Sequence, residues 1–404
     1  MASSSASAAA ARTYIESTSG KYPALADSLN ALLDLYDKKL WHQLTLETET
    51  LLAEPAFTSC PSDVQIDLYQ CFIKDFAYKL SSLKLAQITA VLSQQHAQTE
   101  PRSAIAFLQS VIALLQESKE PPVALAAPIL YLRMQIASLH LRAGDERKCK
   151  ELVEAGQAQL AAMEDVDASV HAAVHHVASL YHKVKQNFAE FYSSSMSYLS
   201  YVTTDALPDD ACLGLAVDLS LAALLGEGVY GIAELINHPV LRYLHNTPSA
   251  WLVDMVQVFQ EGDLHAYDAL CTKHAAALNA QPLLVSHASK LREKITVMCL
   301  MSLLFSLPAD SRCVSLSVIA ERTKLDTAGV ERLLMKALSA KLIEGSIDGV
   351  TSAVTVTWVQ PRALTLSQVR ALRNRLDAWI GKLEHTLMSI PEARVPGGDV
   401  LLGV

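Results

Sequence analysis

Three groups of residues in this sequence have the types and spacing that chemistry uses. Gly226-Glu-Gly228-Val-Tyr-Gly231 fits GxGxxG, which cradles a dinucleotide pyrophosphate when it follows a strand in a βαβ unit. Here the preceding Leu219-Ser-Leu-Ala-Ala-Leu-Leu225 is helix-prone, and Glu227 would set a carboxylate against the pyrophosphate. The segment reads as a glycine-punctuated bend between helices. His171, His175, His176 and His182 share one predicted helix, and His171 and His175 stand at i, i+4, where two imidazoles could share a metal. No HExxH glutamate and no third ligand accompanies them, so they read as partly exposed helix surface. The third group, Glu331, Arg332, Met335, Lys336 and Ser339, lies on the outward side of a helix that a DNA-binding protein would lay in the major groove. That face is mixed in charge. There is no GxSxG elbow, no P-loop and no Cys–His signature. These residues support no catalytic claim, and no catalytic residue, cofactor or metal is expected from them.

Charge weighs against nucleic acid. The 404 residues carry a formal net charge of −9. Residues 311–404 hold 12 bases against 9 acids, a net of +3, and the preceding 310 hold 21 against 33, a net of −12. A weak positive end behind an acidic body is a poor footprint for phosphates. The chain is 51% hydrophobic, with a mean hydropathy of +0.22, so a membrane span has to be considered. Ala211–Leu225 is the best candidate, but Asp218 interrupts it and it is shorter than the ~20 residues a span needs. No membrane association is expected. The seven cysteines are widely and irregularly spaced without CxxC and read as buried free thiols of a reducing compartment.

The elements that carry these groups are mostly helical. From Lys21 to about Leu304, apolar residues recur at helical spacing in segments of 12–20 residues bounded by Pro, Gly or Asp/Ser/Asn caps. Leu139-His-Leu-Arg-Ala-Gly144-Asp145 and Val258-Phe-Gln-Glu-Gly262-Asp263-Leu264 share one turn grammar: a helix ends on Gly and Asp opens the next. The pattern predicts a mostly α protein, an α-solenoid of TPR-like helical hairpins with a degenerate repeat. A different layout follows from Asp310 to Arg362: two short amphipathic helices, then β-leaning runs Leu342–Ile347 and Val354–Val359 joined through Asp348-Gly349. This is a winged helix. A last helix from about Thr365 to Ser389 carries Leu366, Val369, Leu372, Leu376, Trp379, Ile380, Leu383 and Leu387 in a narrow stripe near a 3.5-residue repeat. The expected divisions are a disordered leader at 1–20, helical repeats at 21–200, a further helical part at 201–307, the winged helix at 308–362, a bundle helix at 363–390 and a tail at 391–404.

Helical repeats followed by a winged helix and a terminal helix resemble the PCI module. That module is shared by the proteasome lid, the COP9 signalosome and a translation initiation factor. Lys38-Lys-Leu-Trp41-His-Gln-Leu-Thr-Leu46, Leu224-Leu-Gly-Glu-Gly-Val229, Asn237-His-Pro-Val240, Leu333-Leu-Met-Lys-Ala-Leu-Ser339, Gly345-Ser-Ile-Asp348 and Thr357-Trp-Val-Gln-Pro-Arg362 are similar to the proteasome-lid branch of that family, over about Pro23 to Met388. The chain departs from that branch at Gly329, where relatives tend to carry a capping-box acid, so the start of that helix is expected to be weaker by up to ~1 kcal/mol.

The resemblance implies a non-catalytic scaffold subunit of the regulatory-particle lid, in cytoplasm and nucleus, within a hetero-oligomer. Its implied neighbours are other PCI subunits of the lid, the non-catalytic MPN subunit and the von Willebrand-type ubiquitin receptor, with no nucleic acid. Val354, Val356 and Trp358 read as an adhesive exposed strand that a partner covers. Leu366 to Leu387 read as a seam needing partners beyond its own domain. The alternatives are a winged-helix nucleic-acid-binding protein and a PCI subunit of a related, COP9 signalosome-like complex.

Overall fold

The computed structural model describes residues 2–389 apart from 59, 99, 119–120, 246, 308–311 and 362–365. The expected tail at 391–404 and the helix stop at Pro308 lie outside the described residues. Contacts group the chain into two compact units: Met1–Val229 with Pro239–Val256 and His274–Leu291, and Tyr230–His238 with Gln257–Lys273 and Arg292–Val404.

The first unit is a succession of helices, most of them packed on their sequence neighbours. Trp41–Ala53 shows why. It buries Leu44, Thr45, Thr48, Leu51 and Leu52, a single stripe at i, i+1, i+4, i+7 and i+8. Tyr36, Trp41, Phe72 and Phe76 cluster with ring centroids 5.2–6.0 Å apart, and the Tyr36 hydroxyl donates to the Asp75 carboxylate. The periodicity predicts one helix over Val64–Leu80. The structure inserts a π-helical turn at Tyr69–Ile73. Tyr69, Phe72, Ile73 and Phe76 are all buried along this stretch.

Two expectations are corrected here. The Ser/Ala-rich leader is a helix, α1 (Ala2–Lys21), with Ala11 and Ile15 fully buried. Alanine favours helix whether or not the segment packs, and Ala11, Ile15 and Thr18 fall at the spacing that buries one face. Among the described residues one helix, Pro122–Arg142, is long and apolar enough to cross a bilayer by length and composition, and the sequence reading passed over it. It is a core helix: Leu125, Leu130, Leu132, Met134 and Ile136 are buried among its neighbours.

Two further helices of this unit bear on the site, α2 (Ala168–Val184) and α3 (Phe188–Tyr201), which pack together.

In the second unit, the residues of α4 (Ala288–Ser306) from Arg292 onward support a winged helix. It comprises β1 (Cys313–Ser315), α5 (Leu316–Thr323), α6 (Thr327–Ser339), β2 (Ile343–Asp348) and β3 (Ala353–Val359). Asp326 caps α6 by accepting from the Gly329 N–H at 3.0 Å, so the cap forms without the capping-box acid.

The Gly-Asp grammar holds at both turns for glycine, with φ of +86° at Gly144 and +73° at Gly262. Only Asp263 caps with its side chain, accepting from His265 N–H at 2.8 Å. The two glycines differ in surroundings. A Cβ on Gly262 would lie 2.7 Å from the Met298 carbonyl, whereas one on Gly144 meets nothing within 4 Å. Gly144→Ala is expected to cost about 1 kcal/mol from backbone conformation alone. Gly262→Ala adds a backbone collision and should cost roughly 2–3 kcal/mol. Urea unfolding of the two variants checks the order; equal losses would contradict it.

Candidate interaction surface

The winged-helix core fixes which strand residues face out. Val297, Leu300, Met301 and Leu304 of α4 pack with Val314, Leu316, Ile319, Val330, Leu334, Ile343, Val354, Val356 and Val359. Val354 and Val356, expected on the partner-binding surface, are instead core residues, 0% and 4% exposed. The reason is strand order. The sheet runs β1-β3-β2, so β3 is central and both its edges are paired. Cys313 aligns with Thr355 and Val314 with Val354 on one side, and Ile347 aligns with Val354 on the other. The unpaired edges among the described strands are those of β1 and β2.

Trp358 does reach the surface, and a bulge puts it there. Glu344 aligns with Trp358, but Gly345 aligns with Val356, so Thr357 is an extra residue on β3. Strict alternation from Val354 would turn Trp358 inward and Val359 outward. The bulge reverses both: Trp358 is 41% exposed and Val359 is buried. Gly345 is what permits it, since a Cβ there would sit 2.2 Å from the Thr355 carbonyl.

The outward bases of the winged helix are largely spent within the chain. Lys336 of α6 pairs with Glu293 at 2.5 Å, and Lys324 pairs with Asp268 at 3.0 Å. Arg332 shares the exposed face of α6 with Glu331 and Met335. This is not the concentrated positive stripe that phosphate recognition needs.

The last helix, α7 (Leu366–Ser389), is different in kind. Val369, Leu372, Leu376, Trp379, Ile380, Leu383 and Leu387 are all exposed, from 45% to 76%, and so is every other residue of α7 whose side chain is described. The side chain of Leu366 lies outside the described residues. Seven large apolar groups on one helix would lose on the order of 10 kcal/mol of possible burial if left in water. Such a patch marks an interaction surface.

The other chemical groups assemble no reactive site. Gly226–Gly231 follows the helix Asp209–Leu225, not a strand, and Glu227 pairs with Lys290 at 2.7 Å. Lys294, 5.8 Å from the Tyr230 ring centroid, is pushed down to about 7 by burial. Tyr230 lines a small cleft of about 140 Å³ beside Met301 and Gln360, whose lining does not include Lys294. Sequence reasoning missed Lys294, because nothing in its local pattern marks it as inward-facing. Among the described residues no three His, Cys, Asp or Glu side chains converge as metal ligands. All seven cysteines are free; Cys149, Cys212 and Cys299 are buried, but Cys71 and Cys313 are exposed, against expectation.

The histidines of α2 stack on tyrosines of α3. His171 and His175 lie parallel to Tyr201 at 4.8 and 6.0 Å between centroids. Burial holds His175 below the usual imidazole range, and the neighbouring His171 adds to the effect. Burial does the same to His182, against the opposing pull of Glu190. The unfolded chain therefore binds these protons more readily. Stability is intact above pH ~6.5 and falls as pH drops below it. Thermal unfolding is expected about 2–4 °C lower at pH 5.5 than at 7.5, with part of the difference removed in His175→Asn. An unchanged difference in that variant would contradict the assignment.

Comparison with known proteins agrees with this architecture. The sequence matches the family described as PSD13 N-terminal repeats over residues 28–256 and the PCI domain over 271–358. It is 45% identical to the 26S proteasome non-ATPase regulatory subunit 13 homolog A of Arabidopsis thaliana, across 96% of this chain and 98% of the relative. The chain belongs to the proteasome non-ATPase regulatory subunit 13 family. Other relatives include the Dictyostelium discoideum subunit 13, 33% identical over 95% of this chain and 97% of its own length. The Saccharomyces cerevisiae regulatory subunit RPN9 is 29% identical over 90% and 91%. Within this subunit 13 family chain, the repeat match falls on the helical succession, and the PCI match takes in the winged helix and ends at Trp358.

Proposed function

We propose that this chain is a non-catalytic scaffold subunit of the proteasome regulatory-particle lid. It supports ATP-dependent degradation of ubiquitinated proteins by binding sister chains rather than by chemistry. One observation carries the reading: α7 carries a seven-residue apolar stripe that no described residue of the chain covers, the mark of a surface for another chain. The names of the relatives support the assembly, and the PCI match supports neighbours among the other subunits of the lid. The non-catalytic MPN subunit and the von Willebrand-type ubiquitin receptor are the further neighbours that the family resemblance implies. The expected location is cytoplasm and nucleus.

The test is size-exclusion chromatography of native extract with the chain tagged, followed by identification of co-eluting proteins. Elution with the megadalton proteolytic particle supports the proposal. Elution only as a monomer near its 43.9 kDa mass contradicts it.

A further inference from the structure

We infer that Glu344 and Trp358 together form a recognition site for a guanidinium, filled by an arginine on the strand that pairs with the free edge of β2. This rests on the scaffold reading, since it supposes a partner chain at that edge.

Glu344 and Trp358 are directly opposed across β2 and β3. Residues so paired lie on the same face with Cβ atoms about 5 Å apart. Both are exposed, and the Thr357 bulge is what brings the indole to the outer face beside the carboxylate. On its own the pairing is poor, because a carboxylate gains nothing from the negative face of an indole. A planar cation satisfies both groups at once, donating two hydrogen bonds to the carboxylate and stacking over the ring.

The outer side of β2 also carries Asp348, but that acid is engaged. It accepts from the Val350 N–H at 2.9 Å and the Thr351 hydroxyl at 2.7 Å, holding the wing turn. Those bonds hold its carboxyl below the usual carboxylate range. The ion pairs of Lys324 and Lys336 use other acids. Glu344 is thus the acid of this edge that stands ready for an incoming charge.

Distance selects the side chain. An added strand would lie about 4.8 Å beyond β2, and β3 lies as far on the other side, so its outward residues would be roughly 10 Å from Trp358. An arginine can cross Glu344 and lay its plane on the indole. A lysine offers a point charge that cannot take the bidentate, stacked geometry. Short apolar side chains fall short of the ring.

The test uses the full chain and lid particles assembled from recombinant subunits. Glu344→Gln, Trp358→Ala, Trp358→Phe and the Gln/Ala double variant compete with the unaltered chain for incorporation. Hydrogen exchange of the β2 amides, measured in parallel, reports whether a strand has paired there. Both side chains are exposed, so unchanged melting temperatures serve as the folding control. With β2 protected, Glu344→Gln and Trp358→Ala should each compete about tenfold less well. The double variant should be little worse than either, and Trp358→Phe should recover most of the loss. Protection of β2 with all four variants competing equally overturns the arginine site and leaves the scaffold reading standing. Unprotected β2 overturns the inference as well, by removing the partner strand, and α7 then has to carry the assembly alone.

Discussion

Replacing both Leu376 and Trp379 with glutamate is expected to abolish incorporation into the lid while the chain stays folded. The two residues are 49% and 60% exposed, three positions apart on the apolar stripe of α7. In the isolated chain they touch mostly water, so the substitutions remove little that holds the fold together. In an assembled bundle each glutamate would have to lose its hydration inside an apolar seam without a partner charge. That costs several kcal/mol per group. Two such penalties lower affinity by more than about a thousandfold. Co-purification from cells reads the first half of the expectation and circular dichroism with thermal unfolding reads the second. A double variant that melts normally and still joins the particle at full stoichiometry would show that the stripe is not the contact.

The second large effect concerns the sheet. Gly345→Val is expected to destabilise the winged helix by on the order of 3 kcal/mol. The added Cβ would meet the Thr355 carbonyl at 2.2 Å and the Val356 Cα at 3.0 Å. Both are backbone atoms of the central strand, which cannot swing aside as the end of a side chain could. Relief requires the bulge to close or the strands to part. Closing it would turn Trp358 into the core and Val359 out to solvent, so neither escape is cheap. Faster hydrogen exchange at β2 and β3 and a lower unfolding midpoint are the readouts. Wild-type exchange at both strands would mean the bulge tolerates a side chain.

Much of the fold was legible because its signal is long. Trp41–Ala53 is an example, since its inward residues repeat from Leu44 to Leu52 at helical spacing. The winged helix was legible from the order of its parts and the Asp348-Gly349 turn. What failed was short or depended on the whole fold. β1 is three residues long, too brief to show a period, yet it makes β3 central rather than an edge. Val-Thr-Val-Thr-Trp-Val is the same string in either position, so Val354 and Val356 looked adhesive when they are core. The Thr357 bulge can be seen only with Gly345 set against it. The π-helical turn at Tyr69–Ile73 likewise leaves no mark in the pattern, since Tyr69, Phe72, Ile73 and Phe76 stand at the spacing of an ordinary helix. The stripe of α7 was read from spacing alone, and the structure adds the fact that matters: the described residues of the chain do not cover it.

The central claim is that α7 is completed by other chains, and amide hydrogen exchange over Leu366–Ser389 tests it most directly. In the purified chain this helix has few contacts to protect it, and its amides should exchange quickly. In the assembled regulatory particle the same amides should exchange at least about a hundredfold more slowly, as expected for a helix sealed into an interface. Equal rates in the free chain and in the particle would contradict the account.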